Sequence, residues 1–300
     1  MQLDPTRSVD LEDPRAVLAA IDALLRERFG GAYGRSQLEQ AITDLARAFR
    51  GEYPGLLRCD THYHDLRHAL DSGLAMARLI DGQASSTLPD SPEHLDSEHA
   101  LLGVLLALYH DIGLLRRDDE AHLEGAQLTP VHEARGVVFM RDYLSRTQLS
   151  ALARKSELIM VTRLDWHMPA ELCGVDRALS CLLGTADILS QLADRCYLEK
   201  CRDFLYKEFS AIGLAGSPGL PYPDPETLLK NTPGFYTGLL CRRIQGEYAE
   251  ADRYMRRHFG GACPYDDSIK RNIRFLEELL ANEQLSRLQR LPRRVIDAKQ

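Results

Sequence analysis

Apolar residues recur with a period near 3.6 along almost the whole chain, and no stretch shows the alternation of a half-buried strand. Val17, Leu18, Ile21, Leu24 and Leu25 form one stripe over residues 15–28, closed by Gly30-Gly31. Leu38, Ile42, Leu45 and Phe49 mark a second helix over 36–49. The same period predicts helices over 64–80, 98–112, 131–144, 150–163, 176–209, 234–258 and 267–280. Residues 82–92 are a turn-rich interruption. Residues 113–130 are polar and placed to form a rim or lid. Residues 213–225 hold four prolines and three glycines, which excludes a helix there. The expectation is an all-α fold: an N-terminal helical pair (1–58), a metal-binding helical core (59–212) and a C-terminal helical cap (213–300), packed as one unit.

Composition narrows the class without naming a chemistry. With 300 residues the chain can bury a sizeable core. Its 44% hydrophobic and 27% charged residues are ordinary for a globular protein in water. Lys and Arg number 37 against 44 Asp and Glu, so the net charge is −7. That charge argues against a broad grip on duplex nucleic acid or an acidic membrane. Apolar runs such as 101–109 are too short to cross a bilayer, and Met1-Gln-Leu-Asp-Pro-Thr-Arg7 lacks the form of a secretory signal. The seven cysteines are scattered, odd in number and without a Cys-x-x-Cys pair. Neither a disulfide framework nor a thiolate zinc knot is expected, and the cytoplasm is the expected location.

Candidate chemistry begins at His110-Asp111, where the apolar run from Ala100 ends in two adjacent metal-capable side chains before Gly113. A buried Asp beside a buried His is costly unless something pairs with them, and a divalent cation is the usual partner. On an ideal helix the two point about 100° apart, yet near a helix end both can reach one ion. His64 and His68 stand four apart, on one face if both are helical. They read as two ligands, as one ligand and one acid, or as a surface cluster. Asp187 lies in an apolar helix and needs a partner, either a metal or an arginine such as Arg195 or Arg202. His132 alone reads equally as a helix cap, and His167 as a side chain packed beside Trp166. Together, His68, His110, Asp111, His132, His167 and Asp187 are N/O donors suited to two divalent ions. His62, His94, His99, His122 and His258 carry no expected role.

These residues, as a group, resemble the HD-domain phosphohydrolase superfamily over about residues 60–210. Tyr63-His-Asp-Leu-Arg-His-Ala69 is similar to the Tyr-His-Asn-x-x-His-Ala segment of class I cyclic-nucleotide phosphodiesterases. Thr162 to His167 and Thr185-Ala-Asp-Ile-Leu189 resemble two further segments of those enzymes. Position 114 is Leu where those enzymes have a histidine, and His-Asp-Ile-Gly is instead similar to bacterial HD phosphodiesterases.

The resemblance implies that His68, His110, Asp111 and Asp187 hold a first cation, that Asp111 bridges to a second, and that His64 is the general acid. His132 and His167 would complete the second site. The implied activity is hydrolysis of a phosphodiester, such as a nucleotide or cyclic nucleotide, by a metal-bridging hydroxide. Iron, manganese, magnesium and zinc all fit the donors. Thr232 stands where the phosphodiesterases carry a purine-binding glutamine, Phe235 where they carry an apolar wall. By their charge alone, Arg67 and Arg163 read either as phosphate contacts or as solvated surface residues. The expected partner is a small phosphoester or nucleotide, with no duplex nucleic acid and no membrane; a homodimer stays open. Two alternatives remain: an HD-fold mixed-valence di-iron oxygenase, which uses the same six ligands, and a ligand-binding protein without turnover.

Overall fold

A computed structural model describes residues 2–288, and these residues are helical with no strand, only isolated bridge pairs such as Leu3 with Asp10. The N-terminal pair is α1 (Pro14–Phe29) and α2 (Arg35–Phe49). Pro14 opens α1 where a missing N–H costs nothing, and the Asp13 carboxylate accepts from Arg15 N. Both helices lay their apolar stripes on α3 (Leu66–Ala84) and α4 (Ser97–Tyr109). Every residue of α4 from Ala100 to Tyr109 is buried, as an all-round apolar helix requires. Helix α6 (Gly174–Ala193) closes on α3 and α4, and these three make the centre of the molecule.

Around that centre, α5 (His132–Ser145) packs on a run of 3₁₀ turns over Ser150–Thr162. Short helices α7 (Tyr197–Lys200) and α8 (Tyr206–Ala211) flank a π-helical turn, Cys201–Leu205. A second π-helical turn, Tyr236–Leu240, joins α9 (Pro225–Phe235) to α10 (Cys241–Gln245). Helix α11 (Asp252–His258) lies on α3, and α12 (Pro264–Ala281) on α6 and α9. One apolar cluster runs from Val9 to Leu288, so the N-terminal pair and the C-terminal helices share the core's interior. A buried ion pair stitches the ends together: Arg78 of α3 donates to Asp4 at 2.7 Å and to Tyr265 Oη of α12 at 2.9 Å. Residues 289–300 of the expected cap lie outside the described residues. No described helix is long and apolar enough to cross a membrane.

Four expected helices differ from what the periodicity predicts. The helix expected from 64 begins at Leu66, because Asp65 caps it by accepting from His68 N at 3.0 Å. His64 therefore precedes the helix. The stretch 150–163 is 3₁₀, and its threefold period aligns Ala153, Ser156 and Ile159 on the buried side. The helix expected over 176–209 breaks after Ala193. The Asp194 side chain accepts from Cys196 N at 2.9 Å, while Asn272 of α12 donates to the freed carbonyls of Leu192 and Asp194, both at 2.8 Å. The helix expected over 234–258 starts earlier, at Pro225, and breaks after Gln245. Positive φ at Ala249 and Glu250 turns the chain, so that Tyr248 packs on α6. A methyl group on Gly184 would lie 2.4 Å from Tyr248 Cζ, so only glycine admits that ring.

Asn272→Ala should leave those two carbonyls without a donor and lower stability by about 1–3 kcal/mol. Urea unfolding checks this, with an unchanged midpoint as the contrary result.

Candidate metal centre

Side chains from three separate parts of the chain meet where α4 ends. His68 comes from the first turn of α3, where the Asp65 cap sets its backbone. His110 follows the last residue of α4, and its Nδ1 donates to Ala107 O at 2.8 Å, which turns Nε2 inward. Asp111 leaves helical geometry, with φ −96° and ψ 4°, before the 3₁₀ turn Ile112–Leu114. Asp187 projects from the middle of α6. His68 Nε2 lies 3.2 Å from His110 Nε2. Asp111 Oδ2 is 3.4 Å from His68 Nε2 and 3.1 Å from His110 Nε2. Asp187 Oδ1 is 3.3 Å from the first and 3.4 Å from the second.

The donors fit a divalent ion. One ligand atom each from His68, His110 and Asp111 lies within 4.8 Å of the others, and all three residues are buried. Asp111 Oδ2 is buried and has no hydrogen-bond partner, which is costly for a carboxylate oxygen unless something positive meets it. These three side chains could hold a metal ion. Asp187 faces the same point and is steadied by Gln191, whose Nε2 donates to its Oδ1 at 2.5 Å.

His132, the first residue of α5, approaches the other side of Asp111. Its Nε2 is 3.3 Å from Asp111 Oδ1, while its Nδ1 donates to Thr129 O at 2.6 Å. Gly113 makes this approach geometrically available: a methyl there would lie 1.9 Å from His132 O. Beside it, Glu133 is buried, and its Oε2 has no hydrogen-bond partner.

Charge in this cluster is strongly redistributed. Burial opposes ionisation of Asp111, but His110 and His64 outweigh it and hold the carboxyl well below the usual range. Asp187 is likewise held down against burial, mainly by His110. Burial also opposes the His110 cation, yet Asp111 and Asp187 raise its pKa well above the ordinary value. His68 moves the other way, because burial dominates. The two carboxylates thus favour the charged form of His110, while burial favours the neutral form of His68.

His64 stands at the cavity wall rather than on the helix face shared with His68. Its Nδ1 donates to Glu208 Oε2 at 2.6 Å, which leaves Nε2 on the far side of the ring. Glu208 is itself fixed, since its Oε1 accepts from His62 N at 2.9 Å and Tyr63 N at 2.7 Å. Burial opposes the His64 cation, but Glu208 and then Asp111 prevail and raise its pKa to about 9. Glu208 was not among the expected site residues, although it lies one helical turn after buried Phe204 and so on an apolar face. Gln191 and Glu133 were also missed, because nothing in their neighbours distinguishes them from surface polar residues.

Of the expected residues, His167 and Arg67 stand elsewhere. His167 is 84% exposed and pairs with Glu247 Oε1 at 2.9 Å, which corrects its assignment as a ligand. The loop after the 3₁₀ run carries it outward, while the Trp166 carbonyl accepts from Arg243. Arg67 turns behind the centre, pairing with Asp194 and Gln2, and is not available to a phosphate. Thr232 does line the cavity, but its hydroxyl donates to Leu228 O at 3.0 Å, so its proton is spent within its own helix. Phe235 lines the same cavity as expected. Asp187 takes histidines and Gln191 as partners; Arg202 pairs instead with Asp203. His99 pairs with Asp96 and His258 with Asp81, away from the centre.

The centre opens into one cavity of about 620 Å³, within the range of small-molecule sites. His64, His110, Asp111, His132, Glu133 and Asp187 line its inner end. Thr129, Pro130 and Arg163 also line it, so the end of the polar stretch 113–130 does contribute wall. Arg163 is held by Asp165 at 2.5 Å.

Residues 118–256 match the family described as Npun_R2479-like, less than half of the chain. That stretch takes in His132, Asp187 and Glu208 and begins after Asp111. No curated protein and no solved structure matches the chain.

His110→Ala or Asp111→Ala should abolish stoichiometric divalent-metal binding in elemental analysis of dialysed protein. Because the His110 proton must leave when a cation enters, apparent affinity should rise about tenfold per pH unit below the His110 pKa. Calorimetry in buffers of differing ionisation enthalpy checks that one proton is released; none released would contradict it.

Proposed function

We propose that the chain is a metal-dependent phosphohydrolase of the HD type, cleaving a phosphodiester. One observation carries the reading: Asp111 turns Oδ2 to His68 and His110 and Oδ1 to His132. A carboxylate so divided suits two divalent cations, one beside His68, His110 and Asp187, the other beside His132. Glu133 is the nearest unpartnered carboxylate to the second position. Iron, manganese, magnesium and zinc remain candidates on donor type. Such cations supply water activation at neutral pH and neutralise charge on the phosphoryl oxygens.

The chain's own residues supply the rest. His64 holds a proton on Nε2, and Glu208 both orients the ring and stabilises its charged form. As water adds to phosphorus and the bond to the leaving oxygen breaks, the His64 proton passes to that oxygen. The diester and water become a monoester and an alcohol.

The oxygenase alternative draws on the same six ligands, so His167 on the surface weighs equally on both readings. A mixed-valence iron signal with substrate-dependent oxygen uptake would favour the oxygenase instead.

Metal-loaded protein should hydrolyse bis-p-nitrophenyl phosphate. Fully loaded protein inactive on diesters, monoesters and cyclic nucleotides would overturn the reading. His64→Ala should keep its metal and lose about 10²–10⁴-fold in rate on esters with alkoxide leaving groups. The loss should be smaller on nitrophenyl esters, whose phenolate departs with little help. His64 must be protonated to act, so activity falls as pH rises through its pKa. Glu208→Gln removes the largest influence raising that pKa and should move the alkaline limb of the pH–rate profile to lower pH.

A further inference from the structure

The outer part of the cavity has a character that the metal centre does not explain. Leu205, Phe209, Ile212, Leu228, Phe235 and Leu240 give it an apolar wall. Both π-helical turns contribute: Cys201 and Leu205 from one, Leu240 from the other. A π turn inserts an extra residue into a helix and displaces its side chains, a feature often found at functional sites. Here both displacements border the same space.

Most of its polar groups are already engaged. Thr232 donates to Leu228 O at 3.0 Å, and Tyr248 Oη to Val161 O at 3.0 Å. Gln191 gives its amide to Asp187 and accepts from Tyr63 Oη at 3.1 Å. Arg243 reaches the wall, but its guanidinium donates to Glu247 Oε2 at 3.0 Å and to the carbonyls of Arg163, Val161 and Trp166 at 3.0, 3.2 and 3.3 Å. Asn231 is exposed, at the outer rim. A nucleoside entering this space would lose water from its base and ribose and find few protein partners in return. An aliphatic chain would lose nothing and remove apolar wall from water.

We infer that the substrate is a phosphodiester carrying a long aliphatic ester group, with its phosphate at the metal centre and its chain along the apolar wall. The phosphate end of this assignment rests on the hydrolase reading above. The apolar end rests on the wall alone.

Binding and turnover separate the two. Ethyl-, butyl-, hexyl- and octylphosphonate are titrated into full-length, metal-loaded protein by calorimetry, with adenosine and guanosine monophosphates as competitors. Affinity should rise about fourfold per methylene until the wall is covered. Neither nucleotide should displace octylphosphonate at equal concentration. Ile212→Trp, which narrows the outer space, should shrink the octyl-to-ethyl affinity ratio at least tenfold at unchanged metal content. The wild-type series decides the matter even if that variant does not fold. Equal affinity for ethyl- and octylphosphonate, or displacement by either nucleotide, would overturn the inference.

Methyl and octyl p-nitrophenyl phosphate supply the turnover arm. Water adds to phosphorus, p-nitrophenolate leaves, and the alkyl phosphate remains, with kcat/KM higher for the octyl ester. Chain-length-dependent binding without hydrolysis would uphold the apolar assignment and remove the hydrolase reading. Hydrolysis of both esters at equal kcat/KM would do the reverse.

Discussion

Asp111 sits just past the end of α4, which is buried from Ala100 to Tyr109, with its side chain 5% exposed and one oxygen lacking any hydrogen bond. Taking a carboxylate out of water costs several kcal/mol unless positive charge or donors meet it. Much of the architecture answers that constraint. Helix α3 delivers His68, the end of α4 delivers His110, and α5 is brought against Gly113 so that His132 reaches the second oxygen. Asp187 adds a second, partly buried carboxylate to the same cluster. His68, His110 and Asp111, all buried, could hold a metal ion.

The broken helices have a related logic. An unbroken helix over 176–209 would carry Glu208 straight along the axis of α6. The break at Asp194, secured by Asn272, and the π turn after α7 redirect the chain so that Glu208 meets His64. The break after Gln245 lets Tyr248 pack on Gly184 and brings Arg243 and Glu247 to the loop that carries His167. Each interruption gives up local helical hydrogen bonds and gains a position that a straight helix could not supply. The resulting cavity is charged at one end and apolar at the other.

The ends of the chain hold this core closed. Asp4 is wholly buried, accepts from the backbone of Ser8 and Val9, and meets Arg78, which also reaches Tyr265. Burial opposes the ionised Asp4, yet Arg78 and the hydrogen bonds of Thr6 and Val9 keep its carboxyl below the ordinary range. The N-terminal segment, α3 and α12 are thereby fastened on the side of α3 away from the metal centre, and His68 is held on a helix with little freedom to shift.

The all-helical class, the placement of most helices, and the importance of His110-Asp111, His68 and Asp187 were legible in the residues themselves. Periodicity reports which face is buried, and an acid on a buried face demands a partner wherever the chain goes. Identifying those partners required the tertiary structure. His132 and His167 look alike in the sequence, each a lone histidine beside an apolar stretch. One meets Asp111 because Gly113 allows α5 to approach, and the other is carried to the surface by its loop. Glu208 was invisible as a partner of His64 because the two stand far apart in the chain and meet only after the helix breaks. Thr232 and Arg67 had suitable chemistry, but a helix carbonyl and Asp194 take their donors first. Local pattern determines which residues must be satisfied; only the folded chain decides what satisfies them, because distance and direction between remote segments are set by packing.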